Sequence, residues 1–131
     1  MSVPKIQAMS FASALSCIDG RIQRPVNDYL RSHFGAEHLD TVTRAGSIKH
    51  LTASYDSATS AIVNDLEASI RAHGSTQIAL VAHHECAGNP EDDDTQMAQL
   101  SEAVEHFRRR YPDSDVIGLW LGEGWAITQV D

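Results

Sequence analysis

The chain has 131 residues, 42% hydrophobic and 21% charged, which suits one soluble domain spanning 1–131 and excludes collagen-like and disordered classes. Lys and Arg number 10 against 18 Asp and Glu, and the formal charge of -8 argues against a nucleic-acid or anionic-membrane partner. No apolar run approaches the ~20 residues of a membrane helix, no signal-peptide pattern opens the chain, and two cysteines are too few for a disulfide-stapled secreted domain, so a cytoplasmic protein with reduced thiols is expected.

Residues 1–10 read as a loose N-terminal segment. Residues 11–17 alternate apolar positions and predict a buried strand. Asp19-Gly20-Arg21 leaves it through a turn. Pro25 suits the first turn of a helix that aligns Val26, Tyr29, Leu30 and Phe34 and ends at Gly35. Residues 38–43 form a second short strand, and Arg44-Ala45-Gly46-Ser47 a loop. A longer helix spans about 54–73, with Tyr55, Ala58, Ile62, Leu66 and Ile70 at helical spacing and Gly74 as its stop.

Residues 77–82 are the most apolar run and predict a central strand buried on both faces. His83-His84-Glu85-Cys86 follows at its carboxyl end. Gly88-Asn89-Pro90 and the acidic run 91–94 read as a solvated loop. A helix over about 95–110 aligns Met97, Leu100, Val104 and Phe107, with acidic and basic ends that suit its dipole. Residues 116–121 are the fourth strand. Strand–helix alternation predicts a three-layer α/β fold, a mostly parallel four-stranded sheet flanked by helices with right-handed crossovers. Ligands of such sheets bind at the carboxyl ends of the strands, where both cysteines fall.

The chemistry-bearing constellation is Cys17-x-Asp19-x-Arg21 after strand one and His83-x-x-Cys86 after strand three. Adjacent parallel strands lie ~4.8 Å apart, so side chains at their ends can converge. Two thiolates and one imidazole suit zinc and leave a fourth tetrahedral position open, as in catalytic sites. Each piece alone has a plainer reading. Cys17 reads as inert packing, His83 as a satisfied core histidine, and His84 and Glu85 as exposed turn residues. A Cys17–Cys86 disulfide would need an oxidising compartment. His33, His38, His50, His73 and His106 read as surface residues.

Jointly the pattern resembles the β-class carbonic anhydrases, which carry Cys-x-Asp-x-Arg after the first strand and His-x-x-Cys after the third. Here these are Cys17-Ile18-Asp19-Gly20-Arg21 and His83-His84-Glu85-Cys86. Residues 42–47 resemble the family's second strand and Asn-Ala-Gly loop. Residues 116–120 are similar to its last core strand, Val-x-Gly-x-x-Tyr. The resemblance covers residues 11–128. Gly20 stands where the family commonly has Ser, and Ala82 where it has Gly. Arg44 is one place out of register, Ala87 separates Cys86 from Gly88, and the N-terminal helical arm has no counterpart. The chain resembles a compact, minimal member.

The resemblance implies a zinc-dependent lyase that hydrates CO2 to bicarbonate through a zinc-bound hydroxide. Cys17, His83 and Cys86 would hold the metal. Asp19 would accept a hydrogen bond from the hydroxide, and Arg21 would pair with Asp19. Asp19 could also take the fourth metal position and close the site. Two thiolates predict activity favouring alkaline pH. His84 or Glu85 could relay the proton, on adjacency alone. The family's pockets are completed across a two-fold interface, so a homodimer or higher homo-oligomer is expected. Its contact would use the helix after Arg21 and the loop 44–47. The first or fourth strand would lie at a sheet edge, and Trp125 would meet a partner or fold back on its own sheet.

Three alternatives stay open. One is a zinc-binding protein without hydratase activity, which would not need the Asp19–Arg21 pair. Another is a hydrolase of carbonyl sulfide or carbon disulfide. The last is a thiol redox protein, disfavoured because its cysteines are not in one Cys-x-x-Cys motif.

Overall fold

The apolar run at 77–82 occupies the middle of the sheet. A computed structural model describes residues 10–130. The chain runs through strand β1 (Phe11–Ser16), helix α1 (Gly20–Phe34), strand β2 (His38–Thr43), a short 3-10 turn (Ser47–His50) and helix α2 (Ser57–His73). It continues through strand β3 (Gln77–His83), helix α3 (Asp93–Arg110), strand β4 (Asp115–Leu121), a second 3-10 turn (Glu123–Trp125) and strand β5 (Ile127–Val130). The sheet order is β2-β1-β3-β4-β5, with β5 alone antiparallel. The expected α/β class forms, with one more strand than the four read from sequence.

Helices cover both faces, so β1 and β3 bury nearly every residue. On one face Leu66 of α2 and Leu100 and Phe107 of α3 pack with Leu15 and Leu80. On the other, Ile22, Val26 and Leu30 of α1 pack with Ala79, Val81 and Leu119. Burying a leucine or isoleucine is worth about 1.5–3 kcal/mol, so these two clusters dominate the fold's stability.

Local capping chemistry moves several boundaries. Helix α1 starts at Gly20 rather than near Pro25, because Asp19 caps it by accepting the Arg21 N–H at 2.8 Å. Pro25 therefore lies inside the helix, where it removes one backbone donor. Helix α2 starts at Ser57 because Asp56 and Thr59 form a reciprocal cap. Tyr55, expected on its buried face, is left outside and exposed. Helix α3 starts at Asp93, capped by Asp92 through the Thr95 N–H, and it buries Gln96 while Met97 is exposed.

The sheet edges differ from expectation too. β1 and β4 are interior strands, and β2 and β5 lie outside them. Residues 1–9 of the expected loose segment lie outside the described residues. Ser10 is tied down, its backbone carbonyl accepting the His38 N–H at 3.1 Å and its hydroxyl accepting that of Glu37. Because β1 leads outward to β2 while β3 leads the other way to β4, the order reverses between β1 and β3. That switch point opens a crevice at the strands' carboxyl ends.

Candidate metal centre

Cys17 directly follows β1, and His83 is the last residue of β3, so the switch point brings them together. After His83 the chain turns sharply through Glu85, whose φ of 55° is left-handed, and Cys86 comes back beneath the strand end. Cys17, His83 and Cys86 each offer a ligand atom within 4.8 Å of the others, and all three residues are buried. The two Sγ atoms are 3.8 Å apart. Two ~2.3 Å zinc–sulfur bonds at a tetrahedral angle put sulfurs at about that separation.

His83 supplies a second sign of fit. Its Nδ1 donates to the His84 carbonyl at 2.7 Å, which leaves Nε2 with a free lone pair. That Nε2 is buried without a hydrogen-bond partner. An orphaned buried nitrogen costs about 1–3 kcal/mol unless something answers it. A ring nitrogen held this way, its other nitrogen bonded to a backbone carbonyl, has the arrangement of a metal ligand. Burial, and then the neighbouring Cys17, push the Cys86 thiol above its ordinary pKa. A divalent cation would reverse that balance by stabilising both thiolates. The donor set therefore fits zinc.

Two loops buttress the sulfurs. The Gly46 N–H lies 3.4 Å from Cys17 Sγ. A Cβ on Gly46 would stand 2.4 Å from the Gly88 carbonyl carbon, so the loops after β2 and β3 touch backbone to backbone. Lys49 Nζ fastens them by donating to the Gly88 carbonyl at 2.7 Å. Gln23 Nε2 donates to the carbonyls of Cys17 and Asp19 and fixes the turn between β1 and α1.

Asp19 and Arg21 form a forked pair beside the cluster. Arg21 Nε reaches Asp19 Oδ1 at 3.1 Å and Nη2 reaches Oδ2 at 2.8 Å. Chiefly through the Arg21 hydrogen bonds, and against the opposing effect of burial, the Asp19 carboxyl is held at about 2. Asp19 thus lies with Arg21, and the three-residue cluster does not include it.

Three neighbours make contacts that sequence reasoning did not give them. Gln23 had no signal beyond its place one turn after Asp19. Glu85, read as an exposed turn residue or, on adjacency alone, a proton relay, is exposed in its turn and accepts from Arg21 Nη1 at 3.2 Å through Oε1. Trp125 lies with its ring 4.4 Å from the Arg21 guanidinium carbon and 6.2 Å from the His83 ring. His84 is half-buried and pairs with Asp93 at 2.8 Å, so the acidic run does more than meet solvent.

Comparison with known proteins accords with this geometry. The family model described as "Putative carbonic anhydrase" matches residues 7–131. No curated protein gives a significant match. Among solved structures, the β-carbonic anhydrase CcaA is similar, with a TM-score of 0.60 at 14% identity over 96% of this chain and 82% of that one. One of two tetrameric β-carbonic anhydrases from the filamentous ascomycete Sordaria macrospora matches with a TM-score of 0.58 at 11% identity, over 97% and 84%. CafA, a β-carbonic anhydrase of the fungal pathogen Aspergillus fumigatus, gives 0.56 at 12% identity, over 98% and 80%. At such identities the likeness is one of fold, whereas the family model spans nearly the whole sequence, and on that span the chain belongs to this carbonic anhydrase family.

Proposed function

We propose that this protein is a zinc-dependent carbonic anhydrase, a lyase for the reversible hydration of CO2 to bicarbonate. One observation carries the reading: a buried Cys-His-Cys cluster with an orphaned imidazole nitrogen, beside an ionised Asp19 forked to Arg21. Cys17, His83 and Cys86 would hold the metal. Zinc held there would supply Lewis acidity that lowers the pKa of water from 15.7 toward neutrality, less far with two thiolates than with neutral ligands, so activity would favour alkaline pH.

The chain's own groups do the rest. Asp19 is ionised throughout the working pH range and offers a carboxylate oxygen that accepts a hydrogen bond from the attacking oxygen. Arg21 fixes the direction of that carboxylate through two N–H donors. The backbone N–H of Gly46 stabilises the Cys17 sulfur. The pair at Asp19 and Arg21 is what a purely structural zinc site would lack. Two cysteines in 131 residues, too few for a disulfide framework, support a cytoplasmic setting, and the tetrameric relative supports a homo-oligomer.

Stopped-flow CO2 hydration on zinc-loaded protein, from neutral to alkaline pH, tests the reading. A rate that rises with pH and depends on zinc supports it. One tightly bound zinc with no hydration at any pH leaves a metal-binding member of the family without the activity.

A further inference from the structure

Arg21 is held from three sides. Asp19 takes Nε and Nη2, at 3.1 and 2.8 Å. Glu85 takes Nη1 through its carboxylate and Nη2 through its backbone carbonyl, both at 3.2 Å. Trp125 lies against the guanidinium at 4.4 Å, within cation–π range. Two of these three holders come from turns that follow different strands, β3 and β4.

Both of those residues are backbone outliers. Glu85 has φ of 55° and Trp125 of 65°, and among the described residues they are the non-glycine positions with positive φ. Left-handed φ costs a residue with a side chain roughly 1–2 kcal/mol. Such strain persists where the surroundings over-determine it, and it clusters at functional sites. Here both strained residues converge on one guanidinium. The turn at 123–125, which leads into antiparallel β5, sets Trp125 4.4 Å from the Arg21 guanidinium carbon and 6.2 Å from the His83 ring.

We propose that Glu85 and Trp125 are positioning residues that clamp Arg21 and, through it, keep Asp19 turned toward Arg21 beside the Cys17–His83–Cys86 cluster. Without the clamp, Arg21 is a half-exposed side chain free to leave Asp19, and the carboxylate keeps only its cap bond from the Arg21 backbone N–H at Oδ1, with Oδ2 released. This rests on the hydratase reading for its catalytic consequence, but the clamp itself has an independent readout. Neither residue touches the reacting atoms.

The test uses zinc-loaded full-length protein labelled with 15N-arginine. The Arg21 Nε–H resonance is assigned by its loss in Arg21→Lys. In the wild type, the Trp125 ring should shift that resonance upfield and the Asp19 fork should slow its exchange with water. Trp125→Ala and Glu85→Gln should each move it toward the position of free arginines, with zinc content intact, and Trp125→Phe should restore most of the effect. In parallel, kcat for CO2 hydration should fall on the order of 10-fold in Trp125→Ala, with KM little changed and Phe rescuing. An Arg21 resonance that ignores both Trp125→Ala and Glu85→Gln overturns the clamp even if hydration is fast. A resonance that moves while kcat holds overturns its catalytic role. A wild type that does not hydrate CO2 overturns the hydratase reading, and the resonance then still decides the clamp.

Discussion

Cys86 is buried against a second sulfur, and both burial and Cys17 resist its ionisation. A metal would offset both effects at once, so each candidate ligand would depend on the others. Cys86→Ala should weaken zinc binding by more than the ~100-fold that loss of an outer partner costs. Elemental analysis after dialysis reads this directly, and full retention of zinc would remove Cys86 from the ligand set. Asp19→Asn should keep the zinc, because Asp19 lies with Arg21 outside the cluster, and should lose most hydration activity. Equal rates in mutant and wild type would take Asp19 out of the mechanism. At this scale the sequence was informative wherever a residue type had few other uses. Cysteines and a histidine at strand ends stand out. Gln23 bonds to carbonyls four and six residues back, whereas Glu85 and Trp125 reach Arg21 from turns far along the chain, and apolar periodicity reads neither kind of polar contact.

Elements begin where capping groups stop the orphan N–H groups from going unpaired, and these groups misled a reading based on apolar periodicity. Periodicity suggested a buried Tyr55, but the reciprocal cap of Asp56 and Thr59 starts α2 two residues later. The Thr59 N–H, then the His50 ring and the Thr59 hydroxyl, hold Asp56 at about 2, below its ordinary 3.8. A lowered folded pKa stabilises fully above 3.8, and the contribution is lost as pH falls through that value toward 2. Urea midpoints for wild type and Asp56→Asn should therefore differ at pH 7, with wild type higher, and the gap should narrow below about pH 4. A gap that stays constant with pH would assign the effect to something other than charge. The loops at the metal centre give a second case. Gly46 has φ of 62° and no room for a Cβ against Gly88, whereas Gly35 has φ of 64° and open space. Both alanine variants incur the left-handed cost, but Gly46→Ala also overpacks, so it should destabilise by about 1–3 kcal/mol more than Gly35→Ala. Equal denaturation midpoints would show that the two loops part without penalty.

At the scale of the whole molecule, alternation of strands and helices predicted the class because parallel strands need crossovers, and helices make them. It did not predict β5, whose four residues carry too short a pattern to distinguish from a tail. The error matters for association. β4, one of the strands expected at an edge, is paired on both sides, so the expected edge contact there is gone. What remains points to the mouth of the metal centre. Ile18, between the candidate ligand Cys17 and the cap Asp19, is 61% exposed, and Arg44 and Ala45 in the adjoining loop are exposed as well. A large apolar side chain facing water beside the candidate metal centre suits the contact that the proposed homo-oligomer needs, and closed two-fold dimers are the commonest oligomers. Light scattering at micromolar concentration should accordingly give a multiple of the 14.3 kDa chain mass. Ile18→Asp should return the protein to one chain while leaving zinc content unchanged, since Ile18 lies outside the donor cluster. A wild type that stays at one chain mass on concentration would mean that Trp125 and Glu85, from the same chain, are the walls the site works with.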